Sequence, residues 1–320
     1  MKIIGTGSAL PKKVVTNDML TDYLETSDEW ITTRTGINTR RIITDERFED
    51  IATEAAGRAI DASGLCPDDI DYIVCSNVSN LYITPHLSSI IMGNLGIKGP
   101  LCPTMDVNSA CVGFVHSLDV CDALLETGRA RNILLVAAEE CTRFCDWSDR
   151  NCSVLFGDGA GAVVLTKGDG FIASKLTTTP MPDVIVYRNP MEATPFECRE
   201  GIDTHSALQM KGREVFRMAV STAARDIAQV TADAGLSMND IDHFLLHQAN
   251  LRINEAIRAN LNMPEEKFPT NVQRFGNTSS AAIPLLLDEG IREGRIKRGD
   301  TLLMSAFGAG FVSGIVIMKY

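Results

Sequence analysis

One pattern occurs twice in the chain. Residues 51–75 read IATEAAGRAIDASGLCPDDIDYIVC, and residues 222–246 read TAARDIAQVTADAGLSMNDIDHFLL. In each, a helical run ends at Gly-Leu, and Asp-Ile-Asp follows three residues later at the head of an apolar run. The glycine stops a helix, the aspartate turns the chain, and the run beyond it enters a buried sheet. A second echo pairs ETGRARNILLVAAEE (126–140) with EGRIKRGDTLLMSAF (293–307). The first offset, 222 − 51 = 171 residues, far exceeds the roughly 20–50-residue period of solenoid arrays and implies a duplicated domain. Two α/β halves, 1–170 and 171–320, are expected to meet at KGDG (167–170). ILLVAA (133–138) and GAVVLT (161–166) do not alternate, so their sheet should be covered by helices on both faces. The stretch 177–205, with four prolines and little helical period, reads as a surface excursion.

Charge and cysteine content narrow the function classes. Thirty Lys and Arg against 41 Asp and Glu give a net charge of -11. A nucleic-acid or anionic-membrane binder usually has the opposite sign, so neither is expected as a partner. Nine cysteines, an odd number with no CxxC pair, suit free thiols in a reducing cytosol. MKIIGTGSALP reads as a strand instead of a signal peptide, and no apolar run approaches the roughly 20 residues of a membrane span. A cytoplasmic location is the expectation.

Four segments could carry chemistry. In MDVNSACVGFVHSLDVCDALLETG (105–128), small residues lead to Cys111 at the start of an amphipathic helix. The helix N-terminus is expected to lower the thiol pKa and favour the thiolate; the alternative is one more buried thiol. His116, five residues on, is turned away from it. His247 ends the strand-like HFLLH before an amphipathic helix, the place where open α/β sheets put ligands. Asn277 in RFGNTSSAAIPLLLDEG (274–290) is either ordinary helix-start chemistry or an amide aimed at a carbonyl oxygen. AFGAGFVSG (306–314) is either a tight hairpin or a source of N–H groups for an oxyanion. GTGSAL (5–10) and FGDGAG (156–161) lack the pattern of a dinucleotide or phosphate loop. Cys141, Cys145 and Cys152 lack a suitably spaced fourth ligand for zinc, so no metal is expected.

Together with TSDEWITTRTGI (26–37), FGDGAGAVVL (156–165), GREVFRMAV (212–220) and LLHQANLRI (245–253), these segments resemble the β-ketoacyl-acyl-carrier-protein synthase III family over essentially the whole chain. The resemblance implies the thiolase fold, duplicated α/β halves in a five-layered αβαβα architecture, and a homodimer. It implies a decarboxylating condensation of an acyl-CoA starter with malonyl-acyl-carrier protein, with no cofactor beyond the acyl-CoA substrate. Cys111 would be the acyl-accepting nucleophile, completed by His247 and Asn277. Elongating relatives have a second His in place of Asn277, and thiolases a second Cys, for which no cysteine is available beyond Cys198.

The resemblance assigns CoA contacts to Thr26, Trp30, Arg34, Arg150 and Asn250, and carrier-protein docking to Arg213, Arg217 and Arg252. The oxyanion turn is Gly308, Ala309 and Gly310, and the acyl pocket includes Phe307 and, from across the dimer, Thr84. Two positions depart from the family pattern. The usual FGGGF turn has Ala309 at its centre, which is tolerable if φ is negative there. Thr84 stands where some members have an aromatic residue, which would admit a longer or branched starter. A related condensing or acyl-transfer enzyme of a secondary-metabolite pathway is the alternative reading.

Overall fold

The computed structural model describes residues 1–98, 102–188 and 207–320. Cys198, His205 and most of the expected excursion lie outside the described residues. Five strands, β1 (Lys2–Ala9), β4 (Tyr72–Ser76), β5 (Thr104–Val107), β6 (Asn132–Glu140) and β7 (Asp158–Thr166), form a sheet ordered β1-β7-β6-β4-β5. Four more, β8 (Phe171–Met181), β11 (His243–Leu246), β12 (Thr301–Gly308) and β13 (Gly310–Lys319), form a second sheet ordered β11-β12-β13-β8. Two short ribbons complete the strands: β2 (Lys13–Thr16) with β3 (Thr39–Ile42), and β9 (Ile185–Val186) with β10 (Gln209–Met210).

The two sheets have the same pairing sense. β1–β7 and β7–β6 are antiparallel and β6–β4 parallel; β8–β13 and β13–β12 are antiparallel and β12–β11 parallel. β4 and β11 begin at Tyr72 and His243, 171 residues apart, each after a one-turn helix closed by a capping box, Cys66 with Asp69 and Ser237 with Asp240. The helix turns of the repeat thus match in space as well as in order.

Side-chain alternation sets the layers. Leu134, Val136 and Ala138 of β6 pack outward on α3 (Phe48–Ser63) and α4 (Leu87–Asn94). Ile133, Leu135 and Ala137 point inward onto α5 (Gly113–Glu126) and α9 (Ala282–Arg292), which also meet Leu302, Met304 and Ala306 of β12. On the far side Leu303 and Phe307 pack on α6 (Gly212–Asp233) and α7 (Leu251–Leu261). The result is the αβαβα sandwich, with α5 and α9 as its central layer. Because both faces of each sheet are covered, the strands are continuous apolar runs. Short helices α1 (Asn17–Leu20), α2 (Asp28–Thr35) and α8 (Val272–Phe275) flank this body.

Two local expectations change. Thr177–Met181 belongs to β8 and not to a loop, because β-branched threonines suit a strand and Pro180 is tolerated on an edge strand, which among the described residues pairs with β13 alone. Gly5 and Gly7 lie inside β1, where a Cβ would stand 2.2 Å from the Ala59 carbonyl oxygen or 2.4 Å from its nitrogen. They let α3 approach the strand closely.

Candidate active site

Cys111 sits in a one-turn helix, Ala110–Val112, that runs directly into α5. Ala110 before it has φ +47°, a left-handed backbone unusual for a residue with a Cβ. The same device recurs 169 residues later: Ser279 has φ +51° in the turn Ser279–Ala281 that runs into α9. Two strained elbows therefore face each other in the central layer, one presenting Cys111 and its mate presenting Ser280. The ends of β12 and β6 close over them. Gly308 ends β12 so near the first elbow that a Cβ would stand 3.0 Å from Cys111 N. The equivalent position of β6, one residue before its end, is Glu139, whose side chain reaches the second elbow.

His247 follows β11, held by its N–H donating to the Ser305 carbonyl at 2.8 Å. It is 2% exposed, and its ring stands edge-on to Phe307 with centroids 5.4 Å apart. Nδ1 is buried without a hydrogen-bond partner, and burial drives the pKa down to about 3. His247 is thus a neutral imidazole. Asn277 bridges to Phe156: its N–H donates to the Leu155 carbonyl at 2.8 Å and its carbonyl accepts from Gly157 N–H at 3.1 Å. Its side-chain Oδ1 accepts from Ser279 N–H at 2.8 Å, which commits the carbonyl end and turns the amide nitrogen toward the cavity.

Cys111, His247 and Asn277 line one cavity of about 1330 Å³ with Phe307, Gly308 and Ala309. Gly310 begins the next strand. The FGAGF segment is a hairpin between β12 and β13, and its Phe307, Gly308 and Ala309 line the cavity beside Cys111. Ala309 is not among the positive-φ residues, so its methyl group is accommodated.

The thiol itself departs from expectation. Burial pushes Cys111 up to about 11, the Ser279 hydroxyl opposes this, and Glu139 adds to it. Burial thus opposes the thiolate that the helix N-terminus favours.

At the cavity's mouth, Ser27 caps α2 by accepting from Trp30 N–H. Arg34 and Arg150 place their guanidinium carbons 4.5 and 4.9 Å from the Trp30 ring centre. Asn250 caps α7 and donates to the Arg34 carbonyl at 3.1 Å, tying α2 to α7. Trp30, Arg34, Asn250 and Arg213 line the cavity, whereas Thr26 and Arg150 do not; Thr26 Oγ1 is buried without a partner. Arg213 and Arg217, one turn apart on α6, are exposed, as is Arg252 on α7 beside Phe216. Thr84 is exposed and does not line its own chain's cavity. Cys141, Cys145 and Cys152 form an apolar cluster with Phe156. Sequence reasoning missed Glu139 and Ser279, and also His86, which lines the cavity and is held by Thr104 Oγ1 at 2.8 Å.

A thiol nucleophile, a neutral imidazole and an oriented amide on a duplicated five-layered frame define a cysteine-dependent condensing enzyme of the thiolase fold. The comparisons narrow the class. The 3-oxoacyl-[acyl-carrier-protein] synthase III family matches residues 105–180, and its C-terminal domain matches 231–320. The chain belongs to this family. It is 42% identical over 322 residues to a β-ketoacyl-[acyl-carrier-protein] synthase III of Xanthomonas campestris pv. campestris, covering 100% of this chain and 98% of the relative. The crystal structure of the Aquifex aeolicus VF5 3-oxoacyl-[acyl-carrier-protein] synthase III superposes with TM-score 0.92 at 38% identity, over 100% of this chain and 99% of that one. A priming β-ketosynthase of a polyketide biosynthetic pathway superposes with TM-score 0.89 at 35% identity, over 99% and 95%.

Proposed function

We propose that the protein condenses an acyl-CoA starter with malonyl-acyl-carrier protein, releasing CO2 and CoA and forming 3-ketoacyl-carrier protein. The observation that carries this reading is the convergence of Cys111, His247 and Asn277 on one cavity with Trp30 and Arg34 at its mouth. In the first half-reaction Cys111 Sγ attacks the thioester carbonyl. The backbone N–H groups of Cys111 and of the Gly308–Ala309 turn receive the oxyanion, and CoA leaves as the acyl group passes to Sγ. In the second, the malonyl thioester loses CO2 and its oxygen gains enolate character. Neutral His247 and the Asn277 amide donate to that oxygen, the carbanion attacks the acyl-enzyme, and the Cys111–acyl bond breaks. A His already near 3 keeps its N–H across the working pH range without carrying charge.

The aromatic face of Trp30 and the guanidinium planes of Arg34 and Arg150 suit an adenine nucleotide. Thr26 is assigned to the pantetheine path by resemblance alone. Arg213, Arg217 and Arg252 offer a cationic face to an acidic carrier protein. The working form is a homodimer in the cytoplasm. Among the described residues, no helix is long and apolar enough to cross a membrane.

Intact-protein mass spectrometry after incubation with a series of acyl-CoAs, then with malonyl-carrier protein, tests the reading. An acyl adduct on Cys111, discharged with CO2 release, is expected, and adduct from branched or longer starters supports a pocket widened at Thr84. An absent adduct sinks the enzyme; an adduct that malonyl-carrier protein cannot discharge favours the secondary-metabolite reading, for which the polyketide priming enzyme is a structural precedent.

A further inference from the structure

The backbone of Asn277 is pinned on both sides, to the Leu155 carbonyl and to Gly157 N–H. Its side-chain amide can still turn about its own bonds, and a turned amide would offer an oxygen to the enolate instead of an N–H. The bond that opposes this comes from Ser279 N–H, at 2.8 Å from Asn277 Oδ1. Ser279 has φ +51°, a backbone that a residue with a Cβ keeps only where its surroundings impose it. Here a carboxylate imposes it. Glu139, 0% exposed and one residue before the end of β6, accepts at Oε1 from Ser280 Oγ at 2.8 Å and from Ser279 Oγ at 3.2 Å. Its Oε2 accepts from Val78 N–H at 3.1 Å and from Ser79 Oγ at 2.7 Å, just beyond β4. Ser79 Oγ itself accepts from Glu140 N–H at 2.8 Å, which leaves the Ser79 proton for Glu139. A carboxylate only accepts, so it draws both hydroxyls of the elbow toward itself. The other half of the molecule is the control. Asn108 precedes the first elbow as Asn277 precedes the second, 277 − 108 = 169 residues apart, and its Oδ1 accepts from Ala110 N–H. Ala110 has the same left-handed backbone, φ +47°, but no hydroxyl to tether. The bond there is 3.4 Å long, against 2.8 Å at the tethered elbow.

We propose that Glu139 is a positioning residue for Asn277. By holding the Ser279 and Ser280 hydroxyls it keeps Ser279 N–H on Asn277 Oδ1, and so keeps the amide NH2 toward the substrate oxygen. The frame of one half, β6 and the turn after β4, thereby aims a side chain supplied by the other half. Glu139 is not part of the cavity wall, touches no reacting atom and gives up no proton. A misplacement of about 1 Å far from the chemistry can cost about 10²-fold in rate. Asn277 serves the malonyl half-reaction, so the loss of its positioning belongs to that half-reaction and leaves acyl transfer to Cys111 nearly untouched.

The inference rests on the proposed role of Asn277 as a donor to the enolate, and a double-mutant cycle separates the two. Adduct formation from acetyl-CoA, by rapid-quench mass spectrometry, reads the first half-reaction; CO2 release from malonyl-carrier protein reads the second. Glu139→Ala should slow CO2 release by about tenfold or more and change adduct formation by less than about threefold. Combined with Asn277→Ala, it should cost nothing beyond what Asn277→Ala costs alone, because there is no amide left to aim. Glu139→Gln should recover most of the rate that Glu139→Ala loses. Its oxygen still meets Val78 N–H and Ser79, and its NH2 can be accepted by hydroxyls that turn round. Should Glu139→Ala not fold, Ser279→Ala decides the matter. It removes the tether and keeps the N–H, and should slow CO2 release about threefold or more, with no further loss in the Asn277→Ala background. Losses that multiply in the double variants overturn the positioning role, as do equal losses in both half-reactions or a Glu139→Gln as slow as Glu139→Ala. Full CO2 release by Asn277→Ala overturns instead the reading of Asn277 as a donor.

Discussion

In the proposed reaction His247 and Asn277 serve the same oxygen, and different forces prepare them for it. Desolvation keeps the imidazole neutral, and a backbone hydrogen bond from Ser279 settles which end of the amide meets substrate. In Asn277→Asp the Ser279 N–H would still find an oxygen, but the second oxygen would face the forming enolate as a like charge. Losing one preorganised donor costs about 10²–10³ in rate. Asn277→Asp should therefore lose malonyl decarboxylation by at least that factor, while acylation of Cys111 changes only a few-fold. His247→Ala should divide the two half-reactions in the same way. Equal losses in both steps, measured as adduct formation and as CO2 release, would contradict these roles. These residues were legible because their motif places them. Glu139 was not, since AAEE at a strand end reads as the chain leaving a sheet. The available signal was parity: positions 133, 135 and 137 point to the central layer, which puts the acidic side chain at 139 on the same inward face.

At the scale of elements, the duplication explains why catalysis is asymmetric. Both halves build a left-handed elbow before a central helix and bring a strand end down over it. One strand ends in Gly308, which leaves the first elbow open to substrate; the other carries Glu139 one residue before its end, and that side chain reaches the second. The repeat announced the frame through Gly-Leu and Asp-Ile-Asp, yet the elbows share no sequence signature, NSACVG against NTSSAA. Backbone strain and burial are tertiary effects, which is also why the thiol was expected to be acidic. Helices α6 and α7 carry the other element-level claim. Arg213 and Arg217 share a face one turn apart, and Arg252 adds to it across the α6–α7 contact. Arg217→Glu and Arg252→Glu should raise KM for malonyl-carrier protein about tenfold or more, most at low salt, with acyl-CoA acylation unchanged. Equal KM values across salt for wild type and both variants would remove this face from carrier docking.

For the molecule as a whole, a net charge of -11 and the two anionic substrates of the proposed reaction are reconciled by placing Arg34 and Arg213 in the cavity wall and Arg217 and Arg252 exposed on α6 and α7. What a single chain leaves unfinished is the opposite wall. Leu81, Tyr82 and Ile83 are 57%, 43% and 77% exposed, consecutive and apolar, and all three line the catalytic cavity beside Asn77 and Ser79. Adjacent Thr84 is exposed too and does not line its own chain's cavity. A contiguous apolar patch of this kind marks an interaction surface. In the proposed homodimer the same segment from two chains would cover itself and deliver position 84 to the neighbouring site. Ile83→Asp places a charge in that contact and should shift the protein toward a monomer by light scattering after size exclusion. If the wall is shared, the monomeric fraction should also acylate more slowly and with less discrimination among starters of different length. A variant that stays dimeric with an unchanged starter profile would place both the interface and the acyl-length control elsewhere on the chain.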